Sequence, residues 1–307
     1  MTTFIEESVR AHYDAVSSTY HRQYEQDGLH DISREYPANY FRLQTLLNTF
    51  VSSGVKRVIE VGVGEGTPLA TLGKAGFDIR GFDLSPEMVQ CSRDRMRDNG
   101  MDPDHIFLAD IQDPVTYAGA FKHGRFDALM AMGVMPHIEN DDMVLENMAT
   151  LVRPGGRVFI EFRNSLFSLF TFNRHTADFI LDDLLRNVNP ALKDAVAKDL
   201  KPRLRMDAPS ARLSIQGSEA PGYDAITSRF HNPFEVLELF RRHHFGGMRL
   251  LWYHYHPAMP YLESADPRLF REEAIRLEHE CSGWRGLFLC SAFVVEAIKQ
   301  EQPLNAA

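Results

Sequence analysis

Between residues 57 and 163 the chain alternates short apolar runs with longer amphipathic stretches. The runs at 57–61, 78–83, 105–109, 126–132 and 157–162 read as strands, and the stretches at 68–75, 86–99 and 141–151 read as helices. This alternation predicts an α/β fold: a parallel sheet with helices on both faces. Ser85 and Pro86 supply an N-cap and a first helical position for the second helix. Pro154-Gly155-Gly156 reads as a turn leading into the fifth strand. The first 55 residues read as helical, with Tyr13, Tyr20, Tyr24, Tyr36 and Tyr40 distributed through them. After Arg163 the rhythm changes. Residues 164–229 carry helical apolar patches at 166–172 and 179–185, then a stretch rich in Pro, Gly and Ser. An excursion of that length within a compact fold reads as a lid or binding element. A helix over 232–244 and strands over 248–256 and 287–297 follow, with a second excursion containing Trp284 between the strands. The expected organisation is a helical cap over 1–55, a core built from 56–163 and 231–299, and a substrate-binding lid insertion over 164–230.

Composition narrows the function. The 307 residues carry a net charge of −9, with a pI near 5.8, which argues against nucleic-acid and anionic-membrane partners. The N-terminus has no basic start followed by an apolar core, so no signal peptide is expected. No apolar run approaches the roughly 20 residues of a membrane span. Cys91, Cys281 and Cys290 lack a CxxC spacing, so neither a disulfide framework nor a zinc site is expected. These features suit a cytoplasmic protein.

The densest chemical signal is Val58-Ile-Glu-Val-Gly-Val-Gly-Glu-Gly-Thr-Pro68, a buried strand running into a glycine-rich turn. A phosphate-binding loop wants backbone N–H donors and positive potential. Here the glycines are accompanied by Glu60 and Glu65, and no Lys or Arg lies between residues 58 and 73. A nucleotide-like ligand with a cationic end, such as S-adenosyl-L-methionine (SAM), suits the turn better than a pyrophosphate. Asp83 ends the next strand, 21 residues after Gly62, at the spacing where a second-strand carboxylate meets ribose hydroxyls. Asp110 ends the third strand, where an acid can accept from an adenine amino group.

Together these motifs resemble the class I SAM-dependent methyltransferases, in their small-molecule branch. Glu60-Val-Gly-Val-Gly-Glu-Gly66 is similar to the family's glycine motif, Asp83 to its ribose-binding acid and Asp110 to its adenine-contacting acid. Phe126-Asp-Ala-Leu-Met-Ala-Met132 and Leu151-Val-Arg-Pro-Gly-Gly-Arg-Val158 resemble its fourth-strand motif and the turn before its fifth strand. The resemblance implies a Rossmann-like seven-stranded sheet in the order 3-2-1-4-5-7-6 with the last strand antiparallel. It implies SAM contacts from Tyr20, Glu60, Gly62, Gly64, Asp83, Leu84, Met88, Asp110, Ile111 and Met132. His137, a few residues past strand four, corresponds to a histidine that faces the methyl donor in this branch, and its imidazole is a candidate general base. Tyr13-Asp14 and Tyr20 resemble the helix that caps the cofactor.

Two further clusters invite chemistry. His254 and His256 alternate on one strand face with Trp252, near His231 and His243-His244; no carboxylate at ligand spacing accompanies them, so a polar patch on the substrate side is expected, not a metal site. Lys201, Arg203, Arg205 and Arg212 give the insertion a positive balance that suits either an acidic substrate or a solvated face. The expected function is methyl transfer from SAM to an oxygen or nitrogen of a small molecule such as a sugar or natural product. An NAD(P)-dependent oxidoreductase and a non-catalytic SAM-binding regulator are the competing readings, and the state of assembly stays open between monomer and homodimer.

Overall fold

The computed structural model describes residues 4–206 and 211–301; residues 1–3 of the expected cap and 207–210 of the expected insertion lie outside it. Seven strands form one sheet: Arg57–Val61 (β1), Asp78–Asp83 (β2), Ile106–Leu108 (β3), Phe126–Ala131 (β4), Val152–Arg163 (β5), Phe245–Tyr255 (β6) and Cys290–Lys299 (β7). Their spatial order is β3-β2-β1-β4-β5-β7-β6, as expected. β1 pairs in parallel with both β2 and β4, and β7 runs antiparallel to β5 and β6. Strand order therefore reverses beside β1, which opens a crevice at the carboxyl ends of β1 and β4.

Each central strand is buried on both sides, and its residues divide between two cores by the period-two alternation of a strand. Ile59, Val61, Leu129, Ala131, Val158, Ile160 and Phe293 face one core. Val58, Ala128, Met130, Phe159 and Val294 face the other. The first core is closed by helices Asp141–Leu151 and Pro233–Arg242, and the second by Ala38–Ser53, Thr67–Lys74 and Pro86–Asp98. In chain order the helices are Phe4–Val16 (α1), Ala38–Ser53 (α2), Thr67–Lys74 (α3), Pro86–Asp98 (α4), Asp141–Leu151 (α5), Ser168–Thr171 (α6), Arg174–Asp178 (α7), Pro190–Leu200 (α8), Pro233–Arg242 (α9), Pro267–Leu277 (α10) and Gly286–Leu289 (α11). α9 shows the local logic: Asn232 caps it by accepting from Phe234 N at 3.0 Å, Pro233 occupies the first turn, and Val236, Leu239 and Phe240 form its buried stripe.

Four local expectations are corrected. Pro154-Gly155-Gly156 is a bulge inside β5, not a turn before it. Phe126 pairs with Val152 and Ala128 with Arg157, so 153–156 loop out between ladder pairs, and Gly155 takes a φ of 74°. β3 is three residues long and stops before Asp110, which lies in the following loop. The start of the expected last strand at 287 is helical, and β7 begins at Cys290. His254 does not share a face with Trp252. Its left-handed φ of 59° breaks the alternation of faces while the pairing with β7 keeps its register, so Trp252 and Tyr255 both enter the first core. The Glu278 carboxylate holds that twist by accepting from His254 N at 3.2 Å and Tyr255 N at 2.9 Å.

Buried charge ties the sheet to its surroundings. On β7, Glu296 is fully buried and pairs with Arg157 of β5 and Arg249 of β6, which pins the register of three strands. Arg42 of α2 and Glu161 of β5 meet at 2.7 Å, both nearly inaccessible, and the same guanidinium reaches the Tyr24 hydroxyl at 3.0 Å. In the 164–230 segment α8 buries none of its residues, and the only strand-like contacts among described residues are isolated bridges. The Arg42→Ala change leaves the Glu161 carboxylate buried without its partner, and is expected to cost about 3–5 kcal/mol in urea unfolding. The Arg42→Met, Glu161→Met double variant should recover much of that loss; a single-variant cost below about 1 kcal/mol would mean the pair behaves like a surface ion pair.

Candidate active site

The turn after β1 is shaped by close backbone approach. Gly62 N and Val63 N both donate to Phe82 O, at 2.9 and 3.0 Å, which folds the chain back over β2. Gly62 has a φ of 71°, and a Cβ there would lie 2.5 Å from Val134 Cγ2. Gly66 has a φ of 89°, and a Cβ there would lie 2.6 Å from Ser92 Oγ of α4. Both positions therefore require glycine for conformation and for space.

The carboxylates of this region have different fates. Asp83 Oδ2 accepts from Gly64 N at 2.9 Å and Oδ1 accepts from Ser85 N at 2.9 Å. Backbone donors leave part of its lone-pair capacity available to a ligand. Burial raises its pKa, and the backbone donors oppose that rise. Asp110 Oδ1 accepts from Gln112 N at 2.8 Å, and burial again raises its pKa. Glu60 is buried, its Oε2 has no hydrogen-bond partner among the described residues, and burial pushes its pKa well up. Glu65 points elsewhere: Arg95 of α4 pairs with its carboxylate and Thr67 N donates to it at 3.1 Å. The turn's second acid is thus neutralised by an arginine 30 residues on, and only Glu60 presents unsatisfied carboxylate to the site.

A roof from the N-terminal segment covers this floor. α1 is held down at three points: Gln112 Nε2 donates to Glu6 at 2.6 Å, the Ser85 hydroxyl donates to Asp14, and the Tyr13 hydroxyl meets His137 Nε2 at 2.9 Å. His137 Nδ1 lies 2.6 Å from Thr227 O. A carbonyl can only accept, so Nδ1 carries the proton and Nε2 of the neutral ring accepts from Tyr13. Burial lowers the His137 pKa to about 4, partly opposed by the Thr227 bond. Tyr13 packs edge-on against both Tyr20 and His137.

Floor and roof enclose a cleft open to solvent at its mouth. All of Tyr20, Glu60, Gly62, Gly64, Asp83, Leu84, Met88, Asp110, Ile111, Met132 and His137 line it. Sequence reasoning missed Tyr24, Gln112 and Val134, which line it too. Tyr24 follows Tyr20 by one helical turn, a spacing that could have flagged it; nothing in the local sequence marks Gln112 or Val134. The histidine patch does not line this cleft. His254 bonds Ser291 Oγ at 2.7 Å, His231 lies 3.4 Å from Asp141, and His243 bonds Asp142 at 2.9 Å. Among the described residues no group of three or more His, Cys, Asp or Glu is placed to hold a metal ion. Three arginines of the insertion are engaged: Arg212 with Asp224 and Arg203 with Asp199 inside it, and Arg205 over the Tyr261 ring outside it. No helix among the described residues is long and apolar enough to cross a membrane.

Residues 59–160 match the family described as a methyltransferase domain. The chain is similar to the ubiquinone biosynthesis O-methyltransferase of Methylococcus capsulatus, 26% identical over 227 residues covering 72% of this chain and 90% of that protein. It is also similar to methyltransferase GfsG of Streptomyces halstedii, 38% identical over 112 residues covering 36% of this chain and 38% of that one. Among solved structures, the magnesium protoporphyrin IX methyltransferase of Synechocystis PCC 6803 with bound S-adenosylhomocysteine (SAH) shares the fold at a TM-score of 0.53 and 12% identity, over 96% of this chain and 99% of that chain. These matches set aside the oxidoreductase reading. Residues 59–160 thus form a methyltransferase domain, and the chain is a SAM-dependent methyltransferase with a Rossmann-like seven-stranded sheet.

Proposed function

We propose that the protein methylates a hydroxyl oxygen of a small molecule and that His137 receives the hydroxyl proton. The observation that carries this reading is the His137 geometry. Its Nδ1–H is committed to a carbonyl, and its Nε2 already accepts from a hydroxyl, that of Tyr13. An acceptor hydroxyl that displaces Tyr13 would find the same bond waiting. The relatives named as O-methyltransferases favour oxygen over nitrogen.

The residues of the cleft fit SAM. The unsatisfied Glu60 carboxylate suits the ammonium of its methionine end, and the free lone pairs of Asp83 suit the ribose hydroxyls. Asp110 suits the adenine edge, with Leu84, Met88, Ile111 and Met132 as apolar walls, Gly62 and Gly64 as the close backbone, and Tyr20 as the cap. When bound, SAM supplies an electrophilic methyl group. The protein's part is to align the acceptor oxygen with it, exclude water and accept a proton. A weak base suffices, because the hydroxyl becomes strongly acidic only as its oxygen gains the methyl group. His137, neutral and desolvated, takes the proton at that moment. The 164–230 segment acts as the lid: Thr227 O orients His137, and Tyr223 packs edge-on against the same ring.

Four outcomes test this. His137→Ala should lower kcat by about 10²–10⁴-fold while calorimetric SAH affinity stays unchanged. The acid limb of kcat/KM should fall near pH 4, the lowered His137 value, and not near the ordinary 6.5; a limb near 6.5 that vanishes in the Ala variant would mean an exposed imidazole. SAH binding should release a proton, because an ammonium beside Glu60 lowers a carboxyl pKa that burial has raised. Affinity should therefore strengthen as pH rises, and calorimetry in buffers of different ionisation enthalpy should show the release in the wild type and its loss in Glu60→Gln. Asp83→Ala should weaken SAH about tenfold or more; unchanged affinity would remove the ribose contact.

A further inference from the structure

We propose that Arg163 anchors a carboxylate on the methyl acceptor, so that the substrate class is a hydroxylated, ring-bearing acid. This rests on the reading of His137 as the site of methyl transfer. Arg163 is the last residue of β5, two residues after Glu161 and on the same strand face. No ion pair joins it to Glu161, whose carboxylate meets Arg42 at 2.7 Å. Other arginines around the site also have acidic partners: Arg212 lies 3.2 Å from Asp224 and Arg229 lies 2.8 Å from Asp141. Arg163 has none among the described residues. Its Nη1 donates to Ser228 Oγ at 3.1 Å, and its guanidinium lies over the Tyr223 ring at 4.4 Å and near the Phe230 ring at 5.8 Å. No hydrogen bond from Nε or Nη2 to a described residue competes for a ligand.

One segment of chain places this cation beside the acceptor site. Thr227 O orients His137 and the next residue, Ser228, holds Arg163. Tyr223 touches both, its ring centroid 5.9 Å from that of His137 and 4.4 Å from the Arg163 guanidinium carbon. A hydroxyl at His137 and an anion at Arg163 are therefore within the span of one small molecule. A partly buried guanidinium without a counter-ion is only partly compensated by the Ser228 bond and the Tyr223 and Phe230 rings, and a ligand carboxylate adds the missing charge partner. Nε and Nη2 form the edge that binds a carboxylate in two parallel hydrogen bonds. The Tyr223 ring, in contact with both groups, favours a flat ring packed beside it.

The test is calorimetric titration of SAH-loaded protein with protocatechuate and with its neutral counterpart, protocatechuyl alcohol. The wild type should bind the acid about tenfold or more tightly than the alcohol, the value of a charge-assisted pair. Arg163→Met should abolish that preference while its affinities for the alcohol and for SAH persist, and Arg163→Lys should retain part of it. Wild-type protein that binds the acid no better than the alcohol, or binds neither, overturns the proposal, as does a preference that survives in Arg163→Met. Failure of the wild type to bind SAH would instead overturn the reading of the cofactor cleft on which the proposal rests.

Discussion

The buried contact between Arg42 and Glu161 joins parts of the chain that lie 119 residues apart in sequence. Arg42 comes from the helix behind the sheet, Glu161 from β5, and the same guanidinium reaches Tyr253 of β6 and Tyr24 of the cap. Only arginine offers enough donors in one rigid fork to serve three oxygens at once. Removing these charges from water is expensive, and the cost is offset only while every partner is in place. The N-terminal segment is thereby required to lie over the carboxyl ends of the strands, where Tyr24 becomes a wall of the cleft. Site and roof form together or not at all.

The same accounting of charge reshapes the glycine turn. In sequence it holds two acids and no base, and both acids count against a pyrophosphate. In space Arg95 of α4 cancels Glu65, and the argument against phosphate rests on Glu60 alone. That single carboxylate is a stronger discriminator than two solvated ones, because it is buried and unsatisfied. A neutral His137 lines the same cleft, and Tyr223 joins its ring to the guanidinium of Arg163.

The two helical faces and the ligand edge of the sheet were legible because they depend on local signals, whereas the strand order and the wider set of predicted cleft residues came from the family resemblance. Period-two and period-3.6 patterns identify the elements, glycines mark where backbone must turn left-handed, and carboxylates at strand ends mark the ligand edge. What was misread depends on partners distant in sequence. His254 leaves the Trp252 face because Glu278, from α10's end, captures two successive backbone N–H groups. The proline-glycine pair reads as a turn, yet it bulges within β5 because β4 offers pairing on both sides of it. The cations of the insertion drew attention by number, and three of its arginines are engaged, while Arg163 stands alone in an ordinary strand and carries no local mark.

By itself, then, the sequence determined the class of fold, the edge of the sheet that binds ligand and the chemical type of the cofactor. These follow from backbone periodicity and from residue types whose meaning is local. Only the tertiary structure decided which charges remain unpaired and which nitrogen of His137 accepts a hydrogen bond. Those are properties of pairs, and a pair is defined by distance in space, which the order of residues along the chain does not encode.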